Sequence, residues 1–222
     1  MSRVVLKLGG RVARAGARQA LDLADAGHQV IVVHGAGPQI SAELERRGIP
    51  VEFVDGRRVT DAETLAVVRE SLLAVGVEVS AALGPAAIQL FGDQIGLRAR
   101  RLPQLGLVGE ALPSRPRAIE SALADGRIPV VAPIAVGPLN VNADEAAAAL
   151  AVGLGAERVV FSTDVPGVLV GGEVVEHLDA VAADRMLRAG ELEGGIVPKL
   201  LAAVRVARLG VRAEIGATRV AA

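Results

Sequence analysis

The chain has 222 residues, 51% of them hydrophobic, enough for one large α/β domain or two lobes around a sizeable core. Its formal net charge of −1, with both signs interspersed, and its aromatic fraction of 1%, without Trp or Tyr, leave no footprint for nucleic acid, no basic membrane-surface face and no stacking platform for bases or sugars. Without cysteine there is neither a disulfide framework nor a thiolate metal site, and no apolar run approaches the roughly 20 residues of a membrane span, so a cytoplasmic protein with no membrane partner is expected.

From the N-terminus, short β-branched runs alternate with longer helical patterns. RVVLKL (3–8) reads as a strand ending in Gly9 and Gly10, not as a signal peptide, because the apolar run is short and stops at glycines. ARQALDLADAG (17–27) reads as a helix, QVIVVHGAG (29–37) as a strand entering a second glycine turn, and PQISAELERRG (38–48) as a helix. Thr60 with Glu63 has capping-box spacing and predicts a helix capped at Thr60. AAIQLF (86–91) is the next strand; the stretch from about Gly92 to Pro116, rich in Gly, Pro and Arg, reads as irregular structure or a hairpin. After the strand IPVVAPI (128–134), Asn142 with Glu145 repeats the capping spacing before an alanine-rich helix, and RVVFST (158–163) and RAEIG (212–216) are the remaining strands. Helix stops fall at Gly48, Gly126, Gly155 and Gly210. The alternation predicts an α/β fold on an open, mainly parallel sheet, with no internal repeat and no linker separating independent domains.

Of the 24 Lys+Arg residues only Lys7 and Lys199 are lysines. Lys7 closes an apolar strand. Lys199 follows Pro198 in a helical first turn, where the dipole disfavours a cation by roughly 0.3–1 kcal/mol. A nearby anion explains both placements; the alternative is two snorkelling side chains with solvated heads. The glycines at 9–10 and the HGAGP turn (34–38) offer bare N–H groups at the carboxyl edge of the sheet, where phosphate binds, although a glycine there is also simply a tight turn. Neither turn has Walker or dinucleotide-fingerprint spacing. Asp144, in the first turn of the helix opened by Asn142, suits the dipole and could equally hold lysines in place. In DGRRVTD the arginine pair offers a planar fork for a carboxylate. His28, His34 and His177 lack metal-ligand spacing and read as structural or surface groups.

Taken in order, KLGG, HGAGP, GRRVTD, IPVVAPI, NVNADEAAAAL, STDVPGVL and GGIVPK resemble the amino acid kinase family, and within it the acetylglutamate kinases, over nearly the whole chain. The resemblance implies a three-layer αβα fold, with residues 1–139 binding the acyl amino acid and forming a homodimer, and residues 140–222 binding ATP. It implies transfer of a phosphoryl group from ATP to the side-chain carboxylate of N-acetyl-L-glutamate, in arginine biosynthesis. Alternatives are a kinase of carrier-protein-linked aminoadipate or glutamate, and a non-catalytic nucleotide- or amino-acid-binding relative. As catalytic residues the resemblance carries over Lys7 and Lys199, on the phosphates, with Asp144 organising both. Ala36, Gly37, Arg58 and Asn140 correspond to acceptor-binding positions. Gly9, Gly10, Asp164, Val165, Gly167, Leu169, Leu192 and Glu193 correspond to ATP-binding positions. Mg2+ is implied on the nucleotide phosphates, with no metal ligand from the protein.

The chain departs from the family pattern at Ala36, where a glycine is usual, and in passing almost directly from RAEIG to ATRV. A methyl at position 36 is expected either to crowd the substrate or to forbid a positive φ.

Overall fold

The computed structural model describes residues 2–9, 13–192 and 194–222. From the N-terminus, β1 (Arg3–Leu8) is followed by α1 (Ala13–Asp25), β2 (Gln29–His34), α2 (Gly37–Arg46), the short strands β3 (Phe53–Val54) and β4 (Arg57–Arg58), and the long helix α3 (Ala62–Leu83). Then come β5 (Ala87–Phe91), α4 (Gly92–Ile95), β6 (Ala99–Arg101), β7 (Val108–Ala111), α5 (Arg117–Ala124), β8 (Ile128–Ala132), β9 (Ile134–Ala135) and β10 (Leu139–Val141). The remainder is α6 (Ala143–Gly153), β11 (Arg158–Phe161), β12 (Leu169–Val170), β13 (Glu173–Val174), β14 (His177–Asp179), α7 (Ala180–Ala189), α8 (Ile196–Ala207), β15 (Arg212–Ile215) and β16 (Thr218–Ala221). No helix among the described residues is long and apolar enough to cross a membrane.

Eight strands form the main sheet in the order β14, β16, β15, β11, β1, β2, β8, β5, parallel throughout except between β15 and β16. Helices cover both faces, which is why β1, β2 and β8 are near-continuous apolar runs. Pro129 is tolerated inside β8 because pairing with β2 begins only at Val130.

The two faces of β1 belong to different cores. Val4, Leu6 and Leu8 pack with Ala17 and Ala20 of α1, Leu44 of α2 and Val68 of α3, whereas Val5 packs with Ala146 and Leu150 of α6 and Leu200 of α8. Side chains alternate with a period of two along a strand, so Lys7 shares the face of Val5 and is directed toward α6 and α8. The alanines from Ala146 to Ala149 are buried, and their small side chains let α6 lie close against β1 and α8.

Several expectations meet the structure directly. Asn142 caps α6, accepting from the backbone N–H groups of Asp144 (2.8 Å) and Glu145 (3.3 Å). Gly48, Gly126, Gly155 and Gly210 all adopt positive φ just past helices. The Gly92–Pro116 stretch contains the antiparallel pair β6–β7. The cap of α3 is a correction: Asp61, not Thr60, accepts from Thr64 N–H at 2.8 Å. Thr60 is diverted because its hydroxyl donates to the Arg58 carbonyl (2.7 Å) and accepts from Asn140 Nδ2 (3.0 Å). Ala36 has φ −139, so the backbone there needs no left-handed conformation, and the residue is buried with Leu44 and Val68.

His34 ends β2 on the α3 side and is fully buried, and neither ring nitrogen has a hydrogen-bond partner among the described residues. Burial, against a smaller opposing pull from the Gly35 backbone, lowers its pKa from 6.5 to about 4. The unfolded chain therefore takes up this proton first. The stability associated with neutral His34 is present above pH 6.5 and is lost as the pH falls toward 4, by about 3 kcal/mol. In urea titrations at pH 7 and pH 4.5, His34→Leu is expected to lose less stability between the two than the unaltered chain; equal losses would refute this.

Candidate active site

A cavity of roughly 420 Å³ opens at the carboxyl ends of β1 and β2. Lys7 from β1, Asp144 from the first turn of α6 and Lys199 from the first turn of α8 line it together. Lys7 Nζ lies 2.9 Å from Asp144 Oδ1, and Lys199 Nζ lies 3.8 Å from the same oxygen. The three side chains are 6%, 14% and 7% exposed for Lys7, Lys199 and Asp144, so water screens them little. Two ammonium groups thus share one carboxylate, leaving the cluster with one positive charge in excess.

Lys199 carries the cost of this arrangement. Burial pulls its pKa below the ordinary lysine value; Asp144 opposes that pull, Lys7 adds to it, and Asp164 opposes it more weakly. Its ammonium also donates to the Gly195 carbonyl at 3.4 Å.

Two helix N-termini reinforce the positive potential. The N-cap residues of α2 and α8 are Ala36 and Gly195, which have no side-chain oxygen to satisfy the first N–H groups. Gly37 and Gly195 line the cavity, as does Gly9, so backbone donors and lysines face the same space. Such a combination binds a multiply charged anion.

Arg58 and Asn140 line another part of the cavity. The Arg58 Nη2 group donates to Ser41 Oγ (2.9 Å) and to the Gly37 carbonyl (3.4 Å), and the guanidinium lies over the Phe53 ring at 4.5 Å. Its other terminal nitrogen, Nη1, is buried without a hydrogen-bond partner among the described residues. A guanidinium held on one edge with its second donor group free suits a carboxylate ligand.

Of the residues expected at the site, the cavity brings together Lys7, Gly9, Ala36, Gly37, Arg58, Asn140, Asp144, Asp164 and Lys199. Val165, Gly167, Leu169 and Leu192 lie outside its lining. Val165 and Leu169 are exposed, Gly167 sits where a Cβ would approach Thr218 Oγ1 to 2.7 Å, and Leu192 packs on the α6–α8 core. Gly10 and Glu193 fall outside the described residues. Sequence reasoning missed Ser41 and Thr60, which hold Arg58 and Asn140, because each lies far along the chain from what it touches, and it missed Phe53, which lies under Arg58, because the hairpin that pairs them was not read. It also passed over the hairpin β3–β4, although Asp55-Gly56 between short strands is a turn signal.

The model of the amino acid kinase family matches residues 2–216. The chain belongs to that family. Within it, the chain is 41% identical to an acetylglutamate kinase of Rubrobacter xylanophilus over 97% of its own length and 88% of that protein's. Among solved structures, this amino acid kinase fold is similar to the Streptococcus mutans UA159 protein smu.665, with a TM-score of 0.89 and 30% identity over 99% of this chain and 98% of that one. It is also similar in fold to an N-acetylglutamate synthase from Neisseria gonorrhoeae complexed with coenzyme A and N-acetyl-glutamate. That match has a TM-score of 0.80 and 23% identity, over 96% of this chain and 54% of the other.

Proposed function

We propose that this chain transfers the γ-phosphoryl group of ATP to the side-chain carboxylate of N-acetyl-L-glutamate, in arginine biosynthesis. The observation that carries the reading is the buried Lys7–Asp144–Lys199 cluster between two uncapped helix N-termini. A carboxylate oxygen attacks the γ-phosphorus, the bond to the bridging oxygen breaks, and ADP leaves with that electron pair. The products are ADP and an acyl phosphate. The acceptor is already ionised at neutral pH, so no general base is needed.

Catalysis then consists of positioning and charge stabilisation. Lys7 and Lys199 meet the oxygens of the transferring group and of the nucleotide phosphates. Asp144 offsets the repulsion between the two ammonium groups and holds both beside one carboxylate oxygen. Gly9, Gly10 and Gly37 donate N–H groups to phosphate oxygens. Arg58 binds the acceptor's α-carboxylate through its free edge, and Asn140, held by Thr60, meets the acyl-amino end, with Ala36 shaping the turn beside it. The lobe up to residue 139 serves the acceptor. Residues 140–222 serve the nucleotide, with Asp164 lining the cavity and the nucleotide roles of Val165, Gly167, Leu169, Leu192 and Glu193 carried over from the family resemblance. A magnesium ion carried in on the nucleotide phosphates would supply further positive charge there.

The exposed Leu73 and Val77 of α3, beside the edge strand β5, supply an apolar face for a homodimer in the cytoplasm. The reading is tested by trapping acyl phosphate with hydroxylamine, using ATP with N-acetylglutamate, glutamate, aspartate or N-acetylaspartate. Turnover confined to N-acetylglutamate is expected; turnover with none of the four refutes the reading.

Lys199 must remain protonated, so activity is expected to fall as the pH rises through its lowered pKa. Asp144 holds that pKa up, so Asp144→Asn moves the alkaline limb of kcat/KM to lower pH. An unshifted limb in a variant that is still measurable would separate Lys199 from the reaction.

A further inference from the structure

The hairpin β3–β4 stands outside the main sheet. Phe53 pairs with Arg58 and Val54 with Arg57 around a turn in which Asp55 (φ 49) and Gly56 (φ 73) are both left-handed. A ribbon with two residues per strand has little stability of its own in water, so what it is tied to decides where it sits. Behind it, Arg58 is bonded to Ser41 and Gly37 of α2. Across the cavity the ties are different. Arg57 Nη2 lies 2.7 Å from Oε1 of Glu145, the residue after Asp144 on α6, and Asn142 Nδ2 reaches the Gly56 carbonyl at the long distance of 3.5 Å.

The Arg57–Glu145 pair is only 23% and 18% exposed, so its attraction is weakly screened. Burial raises the Glu145 carboxyl's pKa; Arg57 is the main group pulling it down, Glu110 of β7 pushes it up, and Arg205 of α8 pulls it down. Arg57 Nε and Glu145 Oε2 are both buried without hydrogen-bond partners among the described residues, so the pair is one contact and not a two-bond fork. Neither residue is needed for the chemistry proposed above. Yet Arg57 is the immediate neighbour of Arg58, and Glu145 the immediate neighbour of Asp144.

We propose that Arg57 and Glu145 are positioning residues whose ion pair holds the β3–β4 hairpin against the N-terminus of α6, and so fixes the Arg58 guanidinium over the acceptor. The inference rests on the reading of Arg58 as the acceptor's carboxylate ligand. It predicts that the pair governs acceptor affinity, not nucleotide affinity or the chemical step.

The test uses Arg57→Gln, Glu145→Gln and the exchanged pair Arg57→Glu/Glu145→Arg, each measured two ways. Kinetically, either single change is expected to raise the KM for N-acetylglutamate about tenfold, with kcat and the KM for ATP within about twofold, and the exchanged pair recovers most of the loss. By hydrogen exchange, the amides of residues 53–58 exchange faster in the single variants and return toward the original rate in the exchanged pair. Unchanged hairpin exchange in both singles, an effect confined to ATP, or a large loss for Arg57→Gln with none for Glu145→Gln would overturn the proposal; the last would make Arg57 a direct substrate ligand. If the unaltered chain does not phosphorylate N-acetylglutamate, the functional reading fails while the exchange comparison still decides whether the pair holds the hairpin.

Discussion

Lys7→Ala is expected to lower kcat for acyl phosphate formation by about 10²–10³-fold, the cost of removing one preorganised charge from a developing transition state. The substitution also strips Asp144 of its 2.9 Å partner and leaves it Lys199 at 3.8 Å. Removing one member of a buried pair costs about 3–5 kcal/mol when nothing replaces it, and Lys199 offsets part of that. Lys7→Arg separates the two effects. It keeps a cation beside Asp144, so thermal stability is expected to recover further than activity. The guanidinium is broad and planar where a compact ammonium on a strand end must reach both Asp144 and a phosphate oxygen. Melting temperature and single-turnover rate, measured on both variants, decide the matter. An arginine variant with near-normal turnover would reduce Lys7 to a structural counter-ion, and the argument from the chain's two lysines would fall with it.

Gly153→Ala is expected to be the most destabilising single methyl in the α6 region. A Cβ there would stand 2.1 Å from the Ser114 carbonyl oxygen and 2.4 Å from the Ser114 carbonyl carbon and backbone nitrogen. These are backbone atoms, and Ser114 is not free to retreat. Its hydroxyl accepts from Arg98 N–H (3.0 Å) and donates to the Leu112 carbonyl (2.7 Å), and its own N–H bonds to Ala149 of α6 at 3.3 Å. Relief requires α6 to shift from the segment it packs on, at a cost of about 3 kcal/mol or more, the upper end for an overpacked core. Because Asn142, Asp144 and Glu145 begin the same helix, surviving folded protein is expected to show weakened phosphoryl transfer too. Gly16→Ala is a useful contrast, since its methyl would meet the Leu8 side chain and not a backbone, and a smaller loss is expected. Comparable urea midpoints for the two variants would refute the backbone-clash account.

Much of the frame was legible before any coordinates. Short β-branched apolar runs placed the strands, glycines placed the helix ends, and Asn142 with Glu145 announced the start of α6, because each of these is a bond or a steric limit within a few residues of itself. Thr60 shows where local reading fails. Its spacing to Glu63 matches a capping box, but Asn140, 80 residues away, claims its hydroxyl, and Asp61 takes the cap. The Asp55-Gly56 turn was locally legible and was passed over in favour of the arginines that follow it.

The two lysines divide the question cleanly. Their scarcity, the apolar strand around Lys7 and the helical start around Lys199 are properties of the sequence by itself, and a nearby anion explains both placements better than two snorkelling side chains do. Which carboxylate they share, that Arg58 is held on one edge by Ser41 and Gly37 and stacked over Phe53, that His34 is sealed without a hydrogen-bond partner among the described residues and that Arg57 reaches Glu145 were decided only by the tertiary structure. Pairing across tens of residues depends on strand order and on which face of β1 each side chain occupies, and no spacing along the chain encodes either.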